Sequence, residues 1–322
     1  MVTSILLIIL GLLLLVAGGE ILLRGAVTLA LLLRLTPAII GLTIVAFGTS
    51  VPELAVSAIA AARGYVDITV SNVVGSNIFN LTFLLGLTAI IRPLVISGNT
   101  IKLEYPVMVI VTLMCLAVSQ DGTINWLDAL LFITVYAGFT AYSVSLVRGK
   151  MSETEVGEYR AEVSDLSINN SRNSTLWKSI GLVSGGIVLL GVGAQVTVGS
   201  AVDLARLIGL SERIIGLTII AGGTGLPEVV TSIVSAVRGR DDVAIGNVIG
   251  SNLFNILGTL GLSSLVAPLA VNANILRSDN WWMLGLTLLI FPLMHTGSRI
   301  NRREGVLLFA AYIVYMVLLI GY

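Results

Sequence analysis

Glu53 and Glu228 each follow a proline, Pro52 and Pro227, in the middle of an otherwise apolar run that contains no Lys or Arg. Proline has no N–H to donate, so in a helix the carbonyl four residues earlier, at Gly48 or Gly223, loses its partner and the helix opens. Freed carbonyls beside a carboxylate make an oxygen-rich cavity suited to a hard cation such as Na⁺ or Ca²⁺. Helical spacing extends the oxygen set, because residues three and four apart share a face. Thr49, Ser50, Glu53 and Ser57 fall on one stripe, and Asn72, Ser76 and Asn80 on the next. A second set follows the same order: Thr224, Glu228 and Ser232, then Asn247, Ser251 and Asn255. With no His and no Cys among them, these ligands disfavour zinc, copper and haem and favour alkali or alkaline-earth ions. Any single Ser, Thr or Asn could equally serve to bond a neighbouring helix. The carboxylates resist that explanation, since an ionisable residue at the centre of a membrane helix costs at least ~2.5 kcal/mol on insertion scales.

The two sets are copies. Laid over itself at a shift of 175 residues, the chain matches 41–87 to 216–262 without a gap, with 24 of the 47 positions identical. Duplicated, interrupted membrane helices point to a transporter with its site near the bilayer midplane.

The elements that must carry these residues are membrane helices. Of 322 residues 56% are hydrophobic and 11% charged, with a mean hydropathy of +1.00, whereas about a quarter of the residues in a soluble domain carry charge. Eighteen basic and eighteen acidic residues leave no positive excess for nucleic acid, and the single cysteine, Cys115, excludes a disulfide framework or a multi-cysteine metal cluster. Apolar runs between charged or turn-forming residues predict ten spans, near 4–33, 37–62, 66–91, 103–119, 125–147, 179–208, 212–237, 243–268, 280–297 and 304–321. The first run has no Lys or Arg ahead of it and outlasts the apolar core of a signal peptide, so it reads as a retained helix. Because the repeat recurs five helices later, an odd number of crossings inverts the second copy. The expected fold is therefore all-α, ten transmembrane helices in two inverted repeats of five: residues 1–148, a linker at 149–178, and 179–322.

Basic residues mark the cytoplasmic side of a membrane protein. Placing both termini outside puts fourteen of the eighteen Lys and Arg inside, leaving Arg63, Arg206, Arg213 and Arg277 outside. The expectation is a multi-pass protein of the cell membrane with a cytoplasmic linker. That linker is rich in Ser, Asn and acidic residues and reads as a solvated tether, with the sequons at Asn169 and Asn173 left unmodified. Glu20 has Arg24 one turn away, where its counterpart in the second half is Gln195, and reads as half of a structural pair. Cys115 and His295 are assigned to packing, the sequon at Asn80 lies inside the membrane, and Trp281 and Trp282 read as interface anchors.

The segments GTSVPE with GSNIFN, and GTGLPE with GSNLFN, resemble the two alpha-repeats of the calcium/cation antiporter superfamily, most closely its prokaryotic sodium/calcium exchangers. The ten-helix plan extends the resemblance over the whole chain. It implies that the carboxylates of Glu53 and Glu228 bind calcium and sodium in competition, with Thr49 and Thr224 and the carbonyls of Ala46 and Ala221 as further ligands. It also implies sodium sites completed by Ser50, Ser76, Ser251 and Asn80, and a sliding role for the long first helix of each half. Three positions depart from or vary within the pattern. Gly225 replaces a serine, Gly222 stands where the first copy has Phe47, and Asn255 occupies a position where one potassium-dependent branch has Asp. The last argues against potassium dependence.

On this reading the protein is a transporter and not an enzyme, needs no cofactor and no obligatory protein partner, and acts on Na⁺ and Ca²⁺ within the lipid bilayer. Two carboxylates contribute about −2; one Ca²⁺ or about three Na⁺ neutralises them, while an empty cavity leaves both charges at membrane depth. Loaded forms should then interconvert readily and the empty form poorly, the condition for exchange. A proton/calcium antiporter of the same fold is the nearest alternative, a passive cation channel a more distant one.

Overall fold

A computed structural model describes residues 2–98, 100–147, 172–208, 221–295 and 297–321. In chain order the helices are α1 (Val2–Leu33), α2 (Pro37–Thr49), α3 (Val51–Ala62), α4 (Val66–Ile91), α5 (Thr100–Ser119), α6 (Trp126–Val147), α7 (Arg172–Leu207), α8 (Ala221–Gly223), α9 (Leu226–Val237), α10 (Asp241–Val266), α11 (Asn280–His295) and α12 (Arg302–Gly321). Among the described residues six helices are long and apolar enough to cross a membrane, or seven if the bent pair α2 and α3 is one span. Two expected boundaries move. α7 begins at Arg172, so that Arg172–Lys178, expected in the linker, are helical. A wider π turn, Ile275–Asp279, adds five residues ahead of α11. The remainder of the expected linker, with Asn169, and the start of the seventh expected span, with Arg213, lie outside the described residues.

Four two-residue strands separate the helices: β1 (Leu94–Val95), β2 (Thr123–Ile124), β3 (Leu269–Ala270) and β4 (Arg299–Ile300). They pair antiparallel as β1 with β4 and β2 with β3. β1 and β3 stand 175 residues apart, and so do the π turns Thr100–Glu104 and Ile275–Asp279. The duplication therefore persists in the backbone beyond the stretch where side chains still match. The pairing is reciprocal, each copy lending one strand to the other.

The chain forms two compact units, Met1–Thr49 with Thr140–Asn247, and Ser50–Phe139 with Val248–Tyr322. In the first, α1 and α7 lie against each other along their length through glycines. A Cβ on Gly11 would meet the Gly193 carbonyl at 2.9 Å, one on Gly25 the Ser179 carbonyl at 3.0 Å, and one on Gly186 the Leu22 nitrogen at 2.6 Å. Lipid is as apolar as leucine, so membrane helices gain from close backbone approach, which only small residues permit. The other face of α1, with Leu6, Ile9 and Leu13, is exposed as a lipid-facing surface must be.

In the second unit, α12 packs on the end of α4 by the same device. A Cβ on either Gly86 or Gly305 would lie 2.8 Å from the other residue's carbonyl oxygen. Phe79, Phe83, Phe309 and Tyr312 build an aromatic cluster beside this contact, with Phe79 and Phe83 stacked at 4.7 Å. The Tyr105 hydroxyl donates to the Thr287 carbonyl and joins α5 to α11.

Gly186→Leu should lower the thermal midpoint markedly, at an overpacking cost of ~1–3 kcal/mol. Gly185→Ala, whose Cβ meets nothing within 4 Å, should leave it unchanged or raise it. Melting of the purified protein in detergent distinguishes the two.

Candidate cation site

Both prolines act as helix restarts. α2 ends at Thr49, Ser50 takes φ −87° and ψ 5°, and α3 resumes with Pro52 in its first turn, bent 46° from α2. In the second copy α8 stops at Gly223, Gly225 takes φ −82° and ψ 1°, and α9 resumes with Pro227 likewise placed. The break falls just beyond Gly48 and Gly223, the two carbonyls expected to lose their partners. Each glutamate consequently occupies the first turn of a new helix, Glu53 with 2% and Glu228 with 1% of its surface exposed. The N–H groups at a helix start favour a carboxylate by ~0.3–1 kcal/mol, and by up to ~2 kcal/mol where partly buried.

The first unit holds Ala46, Thr49, Ala221, Thr224, Glu228, Ser232 and Asn247. A π turn at Gly41–Val45 widens α2 just before Ala46. The fully buried Thr49 hydroxyl lies 3.3 Å from the Ala46 carbonyl and donates to Asn247 Oδ1 at 3.2 Å. Asn247 Nδ2 donates to Ser232 Oγ at 2.9 Å, which fixes which way the amide faces. Thr224, in the break itself, is only half-buried.

The second unit holds Ser50, Glu53, Ser57, Asn72, Ser76, Asn80, Ser251 and Asn255. Asn72 Nδ2 donates to Ser57 Oγ at 3.0 Å and reaches the Glu53 carbonyl at 3.5 Å. This is the Asn247–Ser232 bond again, 175 residues earlier and of the same length. Thr69 donates to the Ser57 carbonyl at 2.9 Å, holding the α3–α4 hairpin together. Asn80 begins the π turn Asn80–Leu84, and Asn255 lies in its counterpart, Phe254–Leu260. α3 packs against both α4 and that second π turn. Ser251 Oγ and Asn255 Oδ1 are buried with no hydrogen-bond partner among the described residues. Buried oxygens lacking a donor, on elements packed around a carboxylate, form a donor set for a cation.

Ser57 and Ser232, read from sequence only as members of a stripe, thus orient the amides. Glu20 pairs with Arg24 at 3.0 Å as expected, and also takes both Nε and Nη2 of Arg238, at 3.0 and 2.9 Å, tying α1 to the end of α9. A partner 218 residues away carries no local signal.

A family model described as sodium/calcium exchanger protein matches residues 3–145 and 178–321. The chain belongs to the sodium/calcium exchanger family. It is 38% identical to the CaxA protein of Alkalimonas amylolytica, over 99% of both chains. It is 31% identical to the sodium/calcium exchanger MaX1 of Methanosarcina acetivorans, over 98% of both. Among solved structures it is similar to the sodium-calcium exchanger NCX_Mj, with a TM-score of 0.83, 28% identity and 98% of each chain covered. The family match omits residues 146–177, which include most of the expected linker.

Ser232→Ala should strand the buried Asn247 amide at a cost of ~1–3 kcal/mol and lower the thermal midpoint accordingly. Ser57→Ala should cost less, because Asn72 is only half-buried. Equal midpoints for the two variants would contradict this ranking.

Proposed function

We propose that this chain is a secondary transporter that exchanges Na⁺ for Ca²⁺ across the cell membrane by alternating access. The carrying observation is that a chain of the exchanger family twice sets a buried glutamate in the first turn of a proline-restarted helix, with an adjacent Asn amide fixed on Ser. The proposed ligands are Glu53 and Glu228, the hydroxyls of Thr49, Thr224, Ser50, Ser76 and Ser251, the carbonyls of Ala46 and Ala221, and the amides of Asn80 and Asn255. Their architecture is ten transmembrane helices in two inverted repeats of five. The 175-residue recurrence of strands and π turns, with reciprocal strand pairing, supports that reading.

Exchange follows from charge. Ca²⁺ or Na⁺ offsets two carboxylates that are costly to leave bare at membrane depth, so ion-loaded forms cross between states and the empty form does not. If about three Na⁺ move against one Ca²⁺, one net charge crosses per cycle, worth ~2.3 kcal/mol per 100 mV.

In proteoliposomes loaded with Na⁺, Glu53→Gln and Glu228→Gln should each abolish Ca²⁺ uptake; retained uptake in both would remove the carboxylates from the site. In the unsubstituted protein an inside-positive potential should accelerate uptake, because net positive charge leaves with Na⁺. Uptake driven by a pH gradient without Na⁺ would instead mark a proton/calcium antiporter, a role in which Gly225 would dispense with one sodium ligand.

A further inference from the structure

The second unit carries a groove of ≈ 520 Å³ between α11 and α12, lined by none of the proposed cation ligands. Arg277 and Ser278 stand at one end, Trp281 and Trp282 follow, and Gly285, Leu286 and Leu289 line the rest. From Arg277 to Leu289 the helix rises roughly 18 Å, close to the ~15 Å thickness of one hydrocarbon leaflet. The polar end coincides with paired indoles, the residues that settle at the membrane–water boundary. The groove therefore runs from headgroup level into the acyl region.

Its charge is specific. Arg277 is exposed and has no ion pair or hydrogen bond to any described residue. The adjacent acid, Asp279, accepts from the Tyr315 hydroxyl at 3.3 Å, and Trp282 packs edge-on to that same ring at 5.8 Å. Gly285 keeps the groove open. A Cβ there meets nothing within 4 Å, so helix packing does not require glycine, in contrast to Gly86 and Gly305. The first copy has a cation at the matching position, Lys102, but Pro106 where Trp281 stands and Ile110 where Gly285 stands. Its Ile110 side chain is 62% exposed on the corresponding face. The groove belongs to the second copy and is not a by-product of the duplicated fold.

We propose that this groove binds one anionic phospholipid, with its phosphate on Arg277 and Ser278 between the indoles, and one acyl chain along Gly285, Leu286 and Leu289. The site is independent of the cation ligands and of the transport reading.

The test uses the purified full chain in detergent, titrated with dioleoyl phosphatidylglycerol, dioleoyl phosphatidylcholine or inorganic phosphate, with bound lipid counted by native mass spectrometry and melting followed in parallel. Phosphatidylglycerol should give one tightly bound molecule and a raised midpoint, phosphatidylcholine weaker binding, and phosphate no effect. Arg277→Gln should weaken phosphatidylglycerol binding roughly fivefold, the factor matching about 1 kcal/mol per basic residue at an anionic surface, and leave phosphatidylcholine unchanged. Gly285→Leu should remove the bound molecule of either lipid without lowering the lipid-free midpoint. Should that variant melt early, the Arg277→Gln comparison decides alone. Equal affinity of the unsubstituted protein for both lipids, an unchanged Arg277→Gln, a folded Gly285→Leu that retains the lipid, or a shift reproduced by phosphate would each overturn the proposal.

Discussion

Inside a bilayer, a helix that stops exposes N–H groups at one end and C=O groups at the other, with no water to receive them. The chain meets this constraint twice in the same way. At Ser50 and at Gly225 the helix breaks, and the segment that follows opens with a proline, which has no N–H to strand. The N–H groups that do remain lie at the turn where Glu53 and Glu228 are placed. One residue choice thus both ends the old helix and sets a positive backbone end against the carboxylate. The proposed ion chemistry is built on that coincidence, and the rest of the fold keeps the two breaks dry and correctly shaped.

The compact units do not follow the duplication. Each takes segments from both copies, and the division falls beside the first break, between Thr49 and Ser50, and again between Asn247 and Val248. The reason is packing. α1 and α7, the opening helices of the two copies, carry glycines that fit each other, so they share the first unit. Glu228 goes with them while Glu53 goes with the second unit. A duplicated sequence has therefore produced partners that are chosen by surface, not by ancestry.

Much of this was legible in the residues alone, because the decisive signals are chemical and local. A carboxylate in an apolar run, a proline one position ahead of it and amides at helical spacing each act within a turn or two, and their doubling at a fixed offset made them unmistakable. Family membership, read from the paired motifs, is carried by the match over residues 3–145 and 178–321. Other features were illegible for equally physical reasons. The π turns at Asn80–Leu84 and Phe254–Leu260 have no composition of their own; they mark where tertiary contacts force an extra residue into a helical turn. Two-residue strands are too short for any alternation to appear. The Glu20–Arg238 pair depends on α1 reaching α9, and the helical start at Arg172 lies in polar sequence where hydropathy is silent.

The reciprocal strands bear on how such a chain is made. β1, at Leu94–Val95, pairs with Arg299–Ile300, almost at the other end of the polypeptide. A ribosome delivering the protein in order must leave the first copy's edge groups without their native partners until nearly the whole second copy has entered the membrane. The two halves are thus obliged to mature together, and truncation anywhere before the last helix would yield an assembly that the insertion machinery can complete but folding cannot.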